Sequence, residues 1–164
     1  MKFQLVDRVE LIEPGRRIVT IKALSLAEEY LADHFPTFPV LPGVLMLEAL
    51  VQSAAWLVRV QQDFSRSVVV LGMAKNVKYA SFVAPGNIMQ CEIEAIEIGP
   101  DVSKFKGSAA VDDRQTVAGR FELRSFNLAD RAAYLADADK QIVAQLRQRW
   151  KLVHGPEALA AAIH

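Results

Sequence analysis

Cysteine and net charge are both scarce in this 164-residue sequence, and each shortage excludes a class of protein. The one cysteine, Cys91, cannot form an internal disulfide, so nothing favours an oxidising compartment. The 19 basic and 19 acidic residues balance, which gives no basic footprint for nucleic acid or for an anionic membrane. No window reaches the roughly 18 uncharged apolar residues of a membrane span, and no signal-peptide region follows Met1. We therefore expect a cytoplasmic protein that neither inserts in a membrane nor binds nucleic acid.

Histidine is also rare, and its distribution gives no support to a metal site. His154 and His164 have no ligand-like neighbours, so we expect neither a metal nor another cofactor. What the sequence does contain is apolar residues, which make up 52% of it, against 23% charged residues. This balance and length predict one folded domain with a substantial core.

Strand-like segments separated by turn signals dominate the chain. A Pro14-Gly15 turn joins the first two, and short connections between most of the others favour antiparallel pairing. The predicted strands cover residues 3–12, 18–24, 68–79, 88–98, 103–111 and 116–126.

Three helices are predicted among these strands. Ser25 can cap a short helix that ends at Leu31. A long helix should begin after Pro42-Gly43 and end near Gln61; it is apolar on nearly all sides, as a buried helix is. A third should span Leu128 to Trp150 and end before Gly155-Pro156. The pattern predicts an α+β domain over residues 1–126, with a helical extension over 127–164 packed on it.

The segment around the start of the long helix combines residues that could perform proton chemistry. His34 precedes a loop that three prolines stiffen, and Glu48 and Gln52 lie four residues apart on one helix face. A carboxylate in apolar surroundings is costly unless it is partnered or protonated. The N–H groups at the helix start, around Gly43, can stabilise a developing oxyanion. Acid, base and oxyanion site are the parts needed to remove a proton beside a thioester carbonyl.

Each of these features has an ordinary explanation when it is taken alone. A histidine before a proline-rich loop is usually a partly exposed loop residue. Glu48, Gln52 and Arg59 fall near one helix stripe, which is more often a solvated face than a site. Gly43 could be required only by a tight helix entry.

Together, however, the residues from His34 to Gln52 resemble the signature of the β-hydroxyacyl-acyl carrier protein dehydratases of bacterial fatty-acid synthesis. The segment is HFPTFPVLPGVLMLEALVQ, and the interval from His34 to Glu48 is the family's interval. Thr37 stands where the signature usually has glycine. The resemblance extends over about residues 5–126 and includes the opening hairpin, Val83-Ala84-Pro85-Gly86 and Lys104-Phe105-Lys106-Gly107.

The resemblance implies a hot-dog fold, with a long central helix wrapped by a curved antiparallel sheet and, here, an extra C-terminal helix. It implies a homodimer, with a trimer of dimers as a larger option, and active sites between subunits. His34 would exchange the α-proton of a 3-hydroxyacyl thioester on acyl carrier protein. Glu48 of the partner subunit would protonate the leaving hydroxyl. Substrate-binding positions would be Phe35, Gly43, Val44 and Gln52, with Gly43 N–H on the thioester carbonyl and Gln52 supporting Glu48.

Other functions for such a fold stay open at this point. A hot-dog thioesterase would hydrolyse a similar substrate, but it does not require His34. A non-catalytic acyl-binding protein would keep the pocket without turnover, and double-bond isomerisation is a further option. Arg59, Lys75 and Lys78 are candidate contacts for the carrier protein, on charge alone. Chain-length preference and pathway do not follow from the sequence.

Overall fold

The computed structural model describes residues 3–162 and contains one six-stranded antiparallel sheet in the order β1-β2-β4-β5-β6-β3. Most of the strands follow the alternation expected of a sheet with one buried face, whereas β3 is exposed over most of its length. In β4, for example, Met89, Cys91 and Ile93 are buried while Gln90 and Glu92 are exposed. The strands are β1 (Arg8–Glu13), β2 (Arg17–Ala23), β3 (Val68–Tyr79), β4 (Ile88–Ile98), β5 (Val102–Val111) and β6 (Arg114–Phe126).

The long helix α1, Gly43–Gln61, lies on the buried face and contacts β2, β3, β4, β5 and β6. Gly107 of β5 leaves room for two side chains of the core, because a Cβ there would lie 2.8 Å from the Ile93 Cδ1 and 3.0 Å from the Phe121 ring. A buried hydrogen bond of 2.6 Å between Thr20 and Ser53 joins β2 to the helix. The predicted α+β arrangement of one long helix on an antiparallel sheet is confirmed.

By length and mean hydropathy α1 also meets the criteria for a membrane span, with 56% of the qualifying window buried. We expected no window of the sequence to qualify. The two charged residues of α1, Glu48 and Arg59, do not lower its mean hydropathy enough to exclude it. The core helix of a globular domain has the same properties, and α1 packs against the sheet as such a helix does.

The segment predicted as one helix from Leu128 to Trp150 differs in the structure. It begins as two short 3-10 turns, Leu128–Asp130 and Ala133–Leu135, and only then becomes α2, Ala136–Leu152. A reciprocal capping box between Asn127 and Asp130 closes the first turn and separates it from α2.

The helix α2 ends at Leu152, before Gly155-Pro156, as predicted, but this pair also starts a further helix that the sequence did not predict. The backbone turns at His154, whose φ is +59°, and α3 then spans Gly155–Ala161 with Pro156 in its first turn. Proline suits this position because the first turn of a helix needs no backbone donor there. Gly155 is required, because a Cβ at that position would lie 2.1 Å from the Trp150 ring.

These helices pack against the rest of the chain at both ends of the turn that joins them. The ring of Trp150 packs on that of Trp56 of α1, with centroids 5.4 Å apart. The Val9 N–H of β1 donates to the Val153 carbonyl at 2.8 Å, so the turn after α2 covers that edge of the sheet.

Two shorter predicted elements also change. The helix expected from Ser25 to Leu31 is a single 3-10 turn, Glu29–Leu31, although Ser25 Oγ does accept a hydrogen bond from the Ala27 N–H. The strand expected from residue 3 begins at Arg8.

Candidate active site

A cavity of about 720 Å³ lies where the loop 34–42 meets the N-terminus of α1 and the ends of β3 and β6. We call it the His34 cavity. Its lining includes His34, Phe35, Phe38, Leu41, Gly43, Met46, Tyr79, Phe82 and Arg114. The aromatic rings of Phe38 and Phe82 meet edge to face across it, with centroids 5.8 Å apart. The cavity is therefore mainly apolar, with one imidazole and one guanidinium.

His34 has a defined tautomer in this setting. Its Nδ1 lies 3.1 Å from the Val40 carbonyl oxygen. Because a carbonyl oxygen can only accept, Nδ1 carries the hydrogen, and Nε2 of the neutral ring is left as a proton acceptor. The ring of Phe35 packs against His34 edge-on, at 4.5 Å between centroids, and limits its rotation.

The loop that carries His34 takes its shape from a turn at Phe35. The φ angle of Phe35 is +51°, and the Phe38 N–H donates to its carbonyl at 2.8 Å. Leu41 then donates to the Val83 carbonyl, which ties the loop to the segment before β4. Thr37, which occupies the signature's glycine position, does not have a positive φ. A glycine is therefore not needed there.

The N-terminus of α1 opens onto the same cavity. Its first bonded N–H groups are those of Leu45 and Met46, both to the Pro42 carbonyl, so the Gly43 N–H precedes the first intrahelical bond. This free donor and the positive end of the helix dipole are suited to a developing negative charge. Gly43 also lies close to Tyr79, because a Cβ there would be 3.2 Å from the ring.

Glu48 lies one turn further along α1 and is held by Gln52. The Gln52 amide nitrogen donates to a Glu48 carboxylate oxygen at 2.9 Å and to the Phe3 carbonyl at 3.0 Å. The Gln52 side-chain oxygen accepts from the Leu5 N–H at 2.9 Å. The chain before β1 thus locks Gln52, and Gln52 in turn orients Glu48.

Glu48 and Gln52 line a second cavity, of about 390 Å³, which we call the Glu48 cavity. Its other walls come from the chain before β1 and from α1, β3 and α2, and they combine apolar with cationic side chains. They include Val51, Ala55, Trp56, Val69, Val70 and Leu146. Arg59 of α1 and Arg149 of α2 also line it. The sequence had placed Arg59 among candidate carrier contacts, but its Nε is buried, which does not suit that role.

Both arginines are perturbed by their surroundings. Burial, and then the charge of Arg149, lower the pKa of Arg59 to about 10, so it is still a cation at neutral pH. Burial also lowers the pKa of Arg149, and the charge of Asp7 partly offsets this.

The structure therefore brings some of the predicted site residues together and separates others. His34, Phe35 and Gly43 share one cavity, whereas Glu48 and Gln52 line the other. The Val44 side chain is 71% exposed and is not part of either lining.

Sequence reasoning missed several residues that line the cavities. Tyr79, Phe82 and Arg114 reach the His34 cavity from strand ends and a loop, while Leu146 and Arg149 reach the Glu48 cavity from α2. No local pattern distinguishes them from ordinary strand or helix residues, because their role depends on long-range packing.

Neither a metal site nor a reactive cysteine is found in the described part of the chain. Among residues 3–162, no three His, Cys, Asp or Glu side chains cluster in a way that could hold a metal ion. Burial raises the pKa of the Cys91 thiol to about 12, and hydrogen bonds with Thr20 and Ser53 lower it in part. Such a thiol is not a nucleophile near neutral pH.

Comparison with known proteins identifies the family. Residues 1–120 match the model of the FabA-like domain. The chain belongs to the FabA-like family. It is 35% identical to the 3-hydroxyacyl-[acyl-carrier-protein] dehydratase FabZ of Clostridium kluyveri over 117 residues, which cover 71% of this chain and 81% of that protein. The FabZ of Anaeromyxobacter sp. is 36% identical over 143 residues, or 85% and 84% of the two chains. The predicted family resemblance is confirmed.

Two solved structures show the same fold. A chain of the dehydratase heterocomplex ApeI:P from Xenorhabdus doucetiae superposes with a TM-score of 0.66 and 15% identity, covering 82% of this chain and 90% of that one. A mutant thioesterase from Pseudomonas aeruginosa gives a TM-score of 0.58 at 13% identity, covering 74% and 81%. The expected hot-dog fold is confirmed.

Proposed function

We propose that this protein dehydrates (3R)-3-hydroxyacyl thioesters of acyl carrier protein to trans-2-enoyl thioesters, in fatty-acid or related lipid synthesis. The observation that carries the proposal is the combination of FabA-like family membership with a base, His34, whose tautomer the Val40 carbonyl sets. The FabZ relatives are named for this reaction.

In the proposed reaction, Nε2 of His34 takes a proton from C2 of the substrate. The C2–H electron pair forms the C2–C3 double bond, and the C3–O bond breaks. Protonated Glu48 donates its proton to the departing hydroxyl, which leaves as water. The Gly43 N–H and the dipole of α1 stabilise the negative charge that develops on the thioester oxygen. Proton exchange then returns His34 and Glu48 to their starting forms.

We propose further that each active site combines His34 of one subunit with Glu48 of the partner subunit. Within one chain the two residues line different cavities. A second copy can therefore place its Glu48 at the His34 cavity and its His34 at the Glu48 cavity. Edge strand β3 supports this assembly. In the described part of the chain only β6 pairs with it, and it exposes Val70, Leu71 and Met73. Pairing of two β3 edges would continue the sheet and bury these side chains.

The proposal also covers how the carrier protein binds, where the protein is located and how its chain is divided. Arg114 at the His34 cavity is suited to the phosphate of the carrier's arm, and exposed Lys75 and Lys78 lie on β3. We place the protein in the cytoplasm. We also propose that residues 127–164 extend the domain formed by residues 1–126, since Trp150 packs on Trp56.

The test is dehydration of 3-hydroxyacyl pantetheine thioesters of several lengths, with the reverse hydration as a second assay. We expect His34→Ala and Glu48→Gln each to reduce kcat/KM by roughly a hundredfold or more, since each removes one proton-transfer group. Hydrolysis to the free acid would indicate a thioesterase instead. A folded wild type that binds substrate without turnover would indicate an acyl-binding protein.

Mixing the two variants tests the shared site. Random mixing after dissociation makes half of the dimers mixed, and each mixed dimer has one site with both residues intact. Activity should therefore recover to about a quarter of the wild-type value. If His34 and Glu48 acted within one subunit, mixing would restore nothing.

A further inference from the structure

The Glu48 cavity contains two cations that its proposed chemistry does not use. Arg59 and Arg149 both line it, and the buried Nε of Arg59 has no hydrogen-bond acceptor. Within residues 3–162, no acidic side chain forms an ion pair with either arginine, whereas Arg147 of the same helix pairs with Asp63 at 3.0 Å. The Trp56 ring below the Arg59 guanidinium and the charge of Asp7 near Arg149 compensate these charges only in part, and partly buried charges without an ion-pair partner are costly.

The two arginines also act on each other. The charge of Arg149 is one cause of the lowered pKa of Arg59, which means that the guanidinium groups repel. An anion placed between them would remove that repulsion and supply acceptors for their N–H groups. Planar guanidinium groups are especially suited to carboxylates.

The position of the cavity indicates which part of a substrate would reach it. In the proposed site the thioester carbonyl lies at the Gly43 N–H, and the C3 hydroxyl lies at Glu48 of the partner subunit. The pantetheine arm then leaves on the side of the His34 cavity, where Arg114 lies. Carbon atoms beyond C3 lead in the other direction, into the cavity that Glu48 lines.

The length and walls of the Glu48 cavity fit an acyl chain. Arg59 follows Glu48 by eleven residues on α1, which corresponds to about 16 Å along the axis. Its side chain leans back toward Glu48, because helix side chains point toward the N-terminus. The walls between them, Val51, Ala55 and Leu146 among others, are apolar.

We propose that Arg59 and Arg149 form a subsite for a carboxylate at the far end of the acyl chain, so that the enzyme accepts carboxyl-ended 3-hydroxyacyl thioesters. The inference rests on the dehydratase function proposed above and names a substrate class for it. Arg149 lies beyond residues 1–120, which match the family model, so the extension supplies half of the subsite.

The test compares two series of 3-hydroxyacyl pantetheine thioesters of equal lengths, one methyl-ended and one carboxyl-ended. We expect wild-type turnover of the carboxyl-ended series to pass through an optimum at one length. Arg59→Met and Arg149→Met should each reduce kcat/KM for that substrate roughly tenfold to a hundredfold, as loss of a charged hydrogen bond does. Values for the methyl-ended partner should change less than about twofold. Methionine keeps an unbranched apolar side chain beside Trp56 but removes the guanidinium, whose Cζ lies 5.3 Å from the centre of the Trp56 ring.

Arg147→Met is the matched control, because Arg147 lies on α2 but pairs with Asp63 outside the cavity. It should leave both series unchanged. Arg149→Met keeps the test informative if Arg59→Met does not fold. Equal losses on both series would overturn the subsite in favour of a packing role.

Further outcomes distinguish a failure of the subsite from a failure of the dehydratase function. If only methyl-ended thioesters react, the subsite is wrong and the dehydratase function stands; if neither series reacts, both fail. The assay is also repeated with coenzyme A thioesters, which carry phosphate on the arm. If the variants lose kcat/KM only with coenzyme A thioesters, and equally for methyl-ended and carboxyl-ended chains, the arginines bind the phosphate of the arm and not the acyl end.

Discussion

Gln52 shows how one side chain can fix the geometry of a proposed catalytic group. Its amide makes three hydrogen bonds, to Glu48, to the Phe3 carbonyl and from the Leu5 N–H. Because two of these partners belong to the backbone before β1, the amide cannot rotate without breaking them. Glu48 therefore has a fixed donor on one oxygen, which makes Gln52 a positioning residue in the proposed mechanism.

Replacing Gln52 with leucine should separate positioning from substrate binding. We expect kcat to fall roughly tenfold with KM changed less than about twofold, because a misplaced proton donor slows chemistry without weakening binding. Urea unfolding should show a loss of about 1–3 kcal/mol, since the Leu5 N–H loses its acceptor. Gln61→Leu, at the exposed end of the same helix, is the control. An unchanged kcat in a destabilised Gln52→Leu variant would leave the residue with a structural role only.

Among the elements, α2 carries a buried carboxylate in its first turn that connects it to neighbouring segments. Asp139 accepts hydrogen bonds from the Leu128 and Ala129 N–H groups, each at 2.9 Å, and from the Ser67 hydroxyl. Burial opposes its ionisation, but these hydrogen bonds outweigh that effect and hold the pKa of Asp139 below its ordinary value. The carboxylate thereby joins α2 to the 3-10 turn and to the chain before β3.

This arrangement predicts a pH-dependent contribution of Asp139 to stability. A lowered folded-state pKa gives stability that is present above the unfolded value of about 4 and is lost as pH falls through the folded value. Asp139→Asn should therefore be less stable than wild type at neutral pH, and the difference should shrink below about pH 4.

Chemical denaturation across pH measures this difference. Asp137→Asn, an exposed position paired with Lys140 in the same first turn, should show a smaller effect because solvent screens that pair. A gap between wild type and Asp139→Asn that stays constant into acid would exclude ionisation as its source.

For the whole molecule, the two edges of the sheet differ. The β1 edge is covered, because Val9 donates to the Val153 carbonyl of the C-terminal extension. The outer edge of β3 has no partner strand among residues 3–162, and Met73 on it is 43% exposed. An open apolar edge favours association with a second copy, and the proposed active site needs one.

A charge on this edge should therefore dissociate the proposed dimer and remove activity together. We expect Met73→Asp to halve the mass in analytical ultracentrifugation and to abolish turnover, with the far-UV circular dichroism unchanged. Ile96→Asp adds the same charge at an exposed apolar position on β4 and should preserve both mass and activity. A Met73→Asp variant that is monomeric and fully active would refute the shared site.

Most of the regular structure could be predicted from local sequence. The bounds of α1, β3 and β4 match the predictions, because Pro42 limits the helix and turn signals flank the strands. The start of α2 was wrong, because the helical periodicity of 128–150 does not reveal the capping box at Asn127. The helix α3 after Gly155-Pro156 was not predicted for a related reason. The same pair that follows the end of α2 also suits a helix start once the chain has turned at His154.

The candidate site also has a part that local sequence predicts and a part that only packing decides. The spacing of His34, Gly43, Glu48 and Gln52 is local, so sequence alone was enough to select these residues and the family. That His34 and Glu48 line separate cavities, and that Arg149 meets Arg59 from 90 positions away, follows only from packing. Side chains from distant segments acquire a shared environment only when α2 packs on α1, and no local pattern encodes that contact.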